Sequence, residues 1–299
     1  MQPAELGPFR LEQKVGTGAN GDVWFARHTH SGLPAAVKVL KPELSMNERA
    51  LQGFKNEVRA VAALDHPNII TVYDHGVVPL DLEVDTDGAI ASGGPYLVME
   101  WASAGTLDEI ARPSTWQELR RILETLLRAL AHAHARGVIH RDLKPANILF
   151  CGERDLRPGL KLADFGLAVH RDPEQDVRRL LGTPHYMAPE QWRSAVREQG
   201  PWTDLYALGC LVFRVITGRG PFHASNIKDM KKAHLSLPVP RLNPTYLVPR
   251  GLQGWVERLM AKAPADRFQC GADALELLLQ LDGSLAVPPP RRARDARGR

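Results

Sequence analysis

His140-Arg141-Asp142-Leu143-Lys144-Pro145-Ala146-Asn147-Ile148-Leu149 is the stretch from which the rest of this chain is read. It places a carboxylate, an amine and a carboxamide within six residues, next to an apolar pair. Pro145 has no N–H and biases Lys144 away from helical angles, so a continuous helix is excluded. The spacing predicts a loop with Asp142, Lys144 and Asn147 turned toward one centre. A carboxylate can accept a proton from an incoming hydroxyl, an amine can neutralise a phosphoryl group in flight, and a carboxamide oxygen can ligate magnesium. Phosphoryl transfer requires those three tasks.

Composition narrows the remainder. The chain has 299 residues, 44% of them apolar, enough for one large domain or two small ones. Its three cysteines, Cys151, Cys210 and Cys270, are odd in number and far apart. They form neither a disulfide framework nor a zinc spacing, which fits a reducing, cytoplasmic compartment. The start, MQPAELGPFR, has no apolar run of the signal-peptide kind. No stretch reaches the ~18 apolar residues of a membrane span. The net charge of +4 suggests nucleic acid until it is located. From Ser284 on, five arginines stand against Asp295 alone, so that end carries the whole +4 and the body is neutral. A neutral body with a short basic end is not a nucleic-acid-binding domain. Residues 282–299, with Pro288-Pro289-Pro290, read as a disordered Pro/Arg-rich tail.

Upstream, residues 9–41 alternate as strands around a glycine cluster. A helical pattern covers 48–64 and stops before Pro67. Strands are predicted over Ile69–Val77 and Tyr96–Trp101. Between them Pro79–Gly94, with Asp81, Glu83, Asp85, Asp87 and no basic residue, reads as a long solvated hairpin loop. Downstream the pattern is helical: Trp116–Arg136, Thr203–Thr217, Ile227–Ala233, Leu252–Lys262 and Ala272–Leu281. A strand-rich first third and a helical remainder predict two lobes that divide near Trp101–Gly105.

Two further features carry chemistry. Gly16-Thr17-Gly18-Ala19-Asn20-Gly21 has the spacing G-x-G-x-x-G. A dinucleotide-binding motif of that spacing opens a helix. Here Asp22-Val23-Trp24-Phe25 continues as a strand, so the glycines form a hairpin flap whose N–H groups can approach phosphates closely. Lys38 lies in the apolar strand Ala36-Val37-Lys38, where a buried ammonium needs a partner. Glu57 on the following helix is the apt one; Glu48 lies near the helix start and is less so. Asp164-Phe165-Gly166 follows the apolar strand Leu160–Ala163, 17 residues beyond Asn147.

Together these motifs resemble those of the eukaryotic-type protein kinases, in the family's order, over roughly residues 9–281. The resemblance implies an α+β, two-lobed kinase fold. Residues 1–8 would be an extension, 9–101 a β-rich N-lobe with one helix, and 105–281 an α-helical C-lobe. It also implies serine/threonine kinase activity with ATP and Mg2+, the tyrosine-specific members replacing the lysine found here as Lys144. Protein Ser/Thr hydroxyls would be the substrates. Asp142 would be the catalytic base, Lys144 would stabilise the γ-phosphoryl group, and Asn147 and Asp164 would hold the metal. Lys38, paired with Glu57, would position phosphates. Val15, Gly16, Gly18 and Gly21 would cover the nucleotide. Val23 and Ala36 would sandwich the adenine from above and Leu149 from below, with Met99 as gatekeeper. Glu100 and Ala102 would offer backbone groups to its edge. Gly182-Thr183-Pro184-His185-Tyr186-Met187-Ala188-Pro189-Glu190-Gln191 is similar to the activation-segment end of bacterial members, with Thr183 bridging Asp142 and Lys144 and Arg267 as partner to Glu190. Asp204 would brace the catalytic loop.

Two rivals follow from the same motifs. A pseudokinase scaffold is disfavoured by the presence of Lys38, Glu57, Asp142, Asn147 and Asp164. A small-molecule kinase is disfavoured by the Ala188-Pro189-Glu190 segment and Arg267. One departure from the family pattern stands out. Arg141 is the residue that grips a phosphate on the loop in many members, yet Leu167–Gly182 contains no Ser, Thr or Tyr. Glu174 or Asp176 is expected to take the phosphate's place, in competition with Arg178 and Arg179.

Overall fold

The strand that carries Lys38 is buried on both faces, and the sheet is built around it. In the computed structural model the described residues are 4–18, 21–40, 58–79, 82, 90, 92–110, 112–165, 184–283 and 285–286. They fall into two units, one of residues 1–110 and 128–183, the other of 111–127 and 184–299.

The first unit holds a six-stranded sheet of β1 (Glu5–Leu6), β2 (Phe9–Gly18), β3 (Gly21–His28), β4 (Pro34–Leu40), β5 (Val72–Val77) and β6 (Pro95–Glu100). The order is β1-β2-β3-β4-β6-β5, every pair antiparallel. Alternation along β4 sends Ala35, Val37 and Val39 to one face and Ala36, Lys38 and Leu40 to the other. The first face joins Leu6, Phe9, Leu11, Ala26, Tyr96 and Val98 in one apolar core. The second joins Val58, Ile70, Leu97, Met99 and Ala163 in another. Gly21 closes the hairpin against β4. Its φ is +152°, and a Cβ there would stand 2.0 Å from the Val39 carbonyl oxygen. A short hairpin of β7 (Ile148–Cys151) and β8 (Gly159–Leu162) completes the unit.

The second unit is helical. The helix α1 (Trp116–His134) starts in this unit and ends in the first. Its apolar stripe, Leu119, Leu123, Leu126, Leu127 and Leu130, is buried throughout. There follow α2 (Pro189–Trp192), α3 (Pro201–Thr217), α4 (Ile227–Ser236), α5 (Leu252–Leu259) and α6 (Gly271–Leu279). α3 begins at Pro201, where the missing N–H has no helical partner to lose, and ends at Gly218 with φ +77°. The predicted pair of Glu190 and Arg267 is present and wholly buried, with bidentate contacts of 2.8 and 2.9 Å. Thr203, Trp202, Ala261 and Lys262 supply the remaining oxygens of the guanidinium and carboxylate network.

Three expectations need correction. The sheet begins before residue 9: the Gly7-Pro8 turn folds Leu6 against Phe9, and Leu6 is completely buried. The 79–94 loop is not simply solvated, because Leu82 and Ile90 enter the core beside Leu6 and Val78. Its acidic residues, from Asp81 to Asp87, lie outside the described residues. Nor is the stretch after 282 without structure throughout, since β10 (Leu285–Ala286) pairs antiparallel with β9 (Val248–Pro249). Averaging composition over a Pro/Arg-rich end concealed a short apolar run that can add to an edge. Of the helix expected over 48–64, residues 58–62 are helical and 48–57 lie outside the described residues. No helix among the described residues is long and apolar enough to cross a membrane.

Candidate active site

The loop is built from buried His140. Its Nδ1 accepts the Asp142 N–H at 3.3 Å, so Nε2 carries the ring hydrogen and donates to the Ala163 carbonyl at 2.8 Å. The ring lies against Phe165, with centroids 4.6 Å apart. Next to it Arg141 adopts φ +63°, a left-handed conformation that only a constrained side-chain-bearing residue holds. Lys144 is extended, as its place before Pro145 requires, and residues Pro145–Asn147 make one 3-10 turn.

That turn brings the three predicted groups together. Lys144 Nζ is 2.6 Å from Asp142 Oδ2. Asn147 Nδ2 donates to the Asp142 carbonyl oxygen at 2.8 Å and to its Oδ2 at 3.1 Å. Asp142 Oδ1 is buried and has no hydrogen-bond partner among the described residues. A buried acceptor without a donor is costly, so it marks where an incoming O–H would be bound.

Asp164 reaches the same neighbourhood from the end of β8. The Ala163 N–H donates to the Asn147 carbonyl at 2.9 Å, which ties this strand end to the loop. Asp164 has φ +59° and receives Lys38 Nζ on Oδ2 at 2.6 Å. Burial pushes its carboxyl pKa up. The Lys38 charge and hydrogen bond, with Lys144 and His140, outweigh that and leave it lowered. Lys38 is 7% exposed, so the strand does bury an ammonium and does give it a carboxylate. The partner described is Asp164; Glu57, the expected one, lies outside the described residues.

The nucleotide-facing expectations divide. Val23, Met99, Ala36, Ala102 and Leu149 share one apolar cluster, with Leu149 contributed by β7. Val15 is 45% exposed beside a bulge in β2 and does not join it. Gly16 pairs with Val23 and Gly18 with Gly21, so the chain is strand on both sides of residues 19–20, and the helix-opening dinucleotide alternative is excluded. Ala19 and Asn20 lie outside the described residues, as do Gly166, Thr183, Glu174 and Asp176.

The Glu100 N–H donates to the Thr71 carbonyl, so only its carbonyl could face a base. Its side chain, unread in the sequence, is buried in a network of its own. Arg157 spans both carboxylate oxygens, at 3.2 and 2.5 Å, and Lys161 Nζ stands 3.6 Å away. The signal was available: Lys161 sits in Leu160-Lys161-Leu162, an ammonium inside an apolar strand like Lys38.

A sequence profile described as the protein kinase domain matches residues 9–276. The chain belongs to the protein kinase family. It is 35% identical to the serine/threonine-protein kinase Pkn1 of Myxococcus xanthus over 88% of this chain and 36% of that one. It is 32% identical to PknA of Mycobacterium tuberculosis, over 97% of this chain and 66% of that one. The chain thus spans between about a third and two thirds of these curated relatives. Crystal structures of the PknI kinase domain of M. tuberculosis share the fold. One has a TM-score of 0.67 at 24% identity, covering 95% of this chain and 99% of that one. The fold is accordingly the two-lobed protein-kinase fold.

The residues present fit magnesium. Asp164 Oδ1 and Asn147 Oδ1 carry no hydrogen bond among the described residues, while their companion atoms are fixed by Lys38 and Asp142. Magnesium takes one or two carboxylate or amide oxygens and completes its shell with water and phosphate. Among the described residues no cluster of three or more His, Cys, Asp and Glu competes as a metal site.

Proposed function

We propose that this chain is a serine/threonine protein kinase that transfers the γ-phosphoryl group of ATP to protein hydroxyls. The observation that carries this reading is the Asp142 carboxylate, with one oxygen held by Lys144 and Asn147 and the other buried with no hydrogen-bond partner among the described residues. The substrate hydroxyl would bind Asp142 Oδ1, which orients its oxygen for in-line attack on the γ-phosphorus. A new O–P bond forms, the bond to the bridging oxygen breaks, ADP leaves, and the hydroxyl proton passes to Asp142. Lys144 would hold its charge beside the transferring group. Lys38 would position phosphates and Asp164 in one geometry. Asp164 and Asn147 would hold magnesium, which supplies neutralisation of the phosphate charge. The apolar cluster of Val23, Ala36, Met99, Ala102 and Leu149 suits a purine ring. The Ala102 N–H, without a hydrogen bond among the described residues, and the Glu100 carbonyl would meet its edge.

Incubation of the purified chain with γ-labelled ATP, Mg2+ and a generic basic protein tests this. Label is expected on serine and threonine after acid hydrolysis. Label on tyrosine alone would contradict the specificity. No transfer above an Asp142→Asn blank would contradict the activity.

A further inference from the structure

The turn of residues 152–158 between β7 and β8 grips the segment 100–105 at several points. At one end Arg157 bridges both oxygens of Glu100, and also donates to the Ile69 carbonyl at 3.0 Å and to Thr71 Oγ1. Thr71 returns its own N–H to Glu100 Oε2 at 3.2 Å. At the other end Asp155 Oδ2 accepts three hydrogen bonds: the Ser103 N–H and hydroxyl at 2.9 Å each, and the Gly152 N–H at 2.7 Å. Backbone bonds follow. Ala104 N–H donates to the Phe150 carbonyl at 2.9 Å and Phe150 N–H to the Gly105 carbonyl at 2.8 Å. Gly152 lies so close that a Cβ would stand 2.8 Å from Ser103 Oγ.

Segment 100–105 has no sheet partner of its own beyond Glu100. Its position is fixed by the backbone bonds of residues 104 and 105 to Phe150, by Cys151 Sγ and the Phe25 ring at Trp101, and by the Arg157 and Asp155 side chains of the 152–158 turn at its two ends. Between the two anchored ends lies Ala102, whose methyl joins the apolar cluster. Charge-assisted hydrogen bonds of the Arg157 and Asp155 kind are shorter and stronger than neutral ones, and bidentate contact fixes orientation as well as distance. A binding backbone held in advance loses less on association than one that must be ordered.

We infer that this turn is a clasp on the base-binding segment, with Arg157 and Asp155 as positioning residues for the nucleoside base of the phosphoryl donor. The inference rests on the kinase reading above, in which Glu100 and Ala102 meet the base edge. Neither residue touches the reacting phosphate. Loosening the clasp therefore weakens base binding and base discrimination, and leaves the transfer step intact.

The test compares Arg157→Ala, Arg157→Lys, Asp155→Ala and Asp155→Asn with wild type and with Arg154→Ala. Arg154 is an exposed residue of the same turn with no hydrogen bond or ion pair among the described residues. The readouts are KM and kcat for MgATP and for MgGTP with a generic protein substrate, and the melting temperature. The expected result for each alanine variant is a KM for ATP raised about 3–10-fold, kcat within about twofold, and a narrower preference for ATP over GTP. Arg157→Lys and Asp155→Asn, which keep a charge or an acceptor, should recover part of the loss. Arg154→Ala should match wild type. Unchanged KM in the Asp155 and Arg157→Lys variants, or a fall in kcat that tracks the melting temperature, would overturn the clasp. These two observations decide the matter even where Arg157→Ala does not fold. Failure of the wild type itself to bind ATP saturably would instead overturn the kinase reading, and the clasp with it.

Discussion

Lys38 and Asp164 are 126 residues apart in the chain, and their charged atoms are 2.6 Å apart in the fold. The lysine is nearly buried, whereas the aspartate side chain keeps 29% of its surface. A lysine in a core strand is tolerated because this carboxylate offsets its desolvation. The carboxylate in turn is kept ionised by the lysine, which is the state a metal ligand needs.

Replacing Lys38 by Met should therefore leave packing nearly intact and remove a positioned charge. Transfer is expected to fall by about 10²-fold or more, with the circular dichroism spectrum unchanged. Wild-type turnover in Lys38→Met would show that the pair has no part in the chemistry.

Glu190 and Arg267 form the opposite kind of pair, with both ends fully buried. Glu190→Ala would strand a guanidinium at 1% exposure. A loss of about 3–5 kcal/mol in unfolding free energy is expected, the cost of leaving one buried charge alone. Denaturant titration measures it, and a loss under about 1 kcal/mol would show that water or another acceptor replaces the carboxylate.

His234 gives the second unit a defined acid sensitivity. Its ring is fully buried among Tyr206, Phe222 and Trp192, with Nδ1 3.0 Å from the Tyr206 hydroxyl. Burial first, then the charges of Lys262 and His185, push its pKa down to about 3 from 6.5. Between those values the unfolded chain binds a proton that the folded chain does not. Stability is thus complete above pH 6.5 and declines as pH falls toward 3, by about 3 kcal/mol at pH 4 from this group. The melting temperature of His234→Gln should depend less steeply on pH between 6.5 and 4 than that of wild type. Parallel curves would contradict the assignment.

Activity should need no phosphorylation of the activation loop, because residues 167–182 offer no hydroxyl and Thr183, the first one after them, is expected to serve the catalytic loop. Protein stripped with phosphatase is expected to show its full initial rate on an exogenous substrate at once. A lag removed by preincubation with ATP, with phosphate on Thr183, would refute this.

Much of the fold and site was legible because each rests on local chemistry. The stripe of α1 and the glycine hairpin follow from period and missing side chains, whereas the start of α3 at Pro201, two residues before the predicted Thr203, was not read. Asp142, Lys144 and Asn147 are brought together by one 3-10 turn, so their spacing of two and three residues already contained the site. Contacts that join distant segments were less visible. Leu82 and Ile90 looked like loop residues because their burial depends on Leu6, more than 70 residues away. The Arg157–Glu100 pair depends on β7 and β8 folding back beside the end of β6. An arginine in a turn reads as solvated until that return is known. Lys161 did carry a cue, and it was the same one that identified Lys38.

The account stands most directly on how Asp142 and Asp164 divide their labour. Initial transfer rate and MgATP affinity should be measured side by side for wild type, Asp142→Asn and Asp164→Asn. Asp142→Asn is expected to lose about 10²–10⁴-fold in rate while keeping wild-type affinity for MgATP, since it removes only the group that orients and deprotonates the hydroxyl. Asp164→Asn is expected to lose magnesium-dependent ATP binding itself. Equal losses of affinity in the two variants, or undiminished transfer by Asp142→Asn, would contradict the central claim.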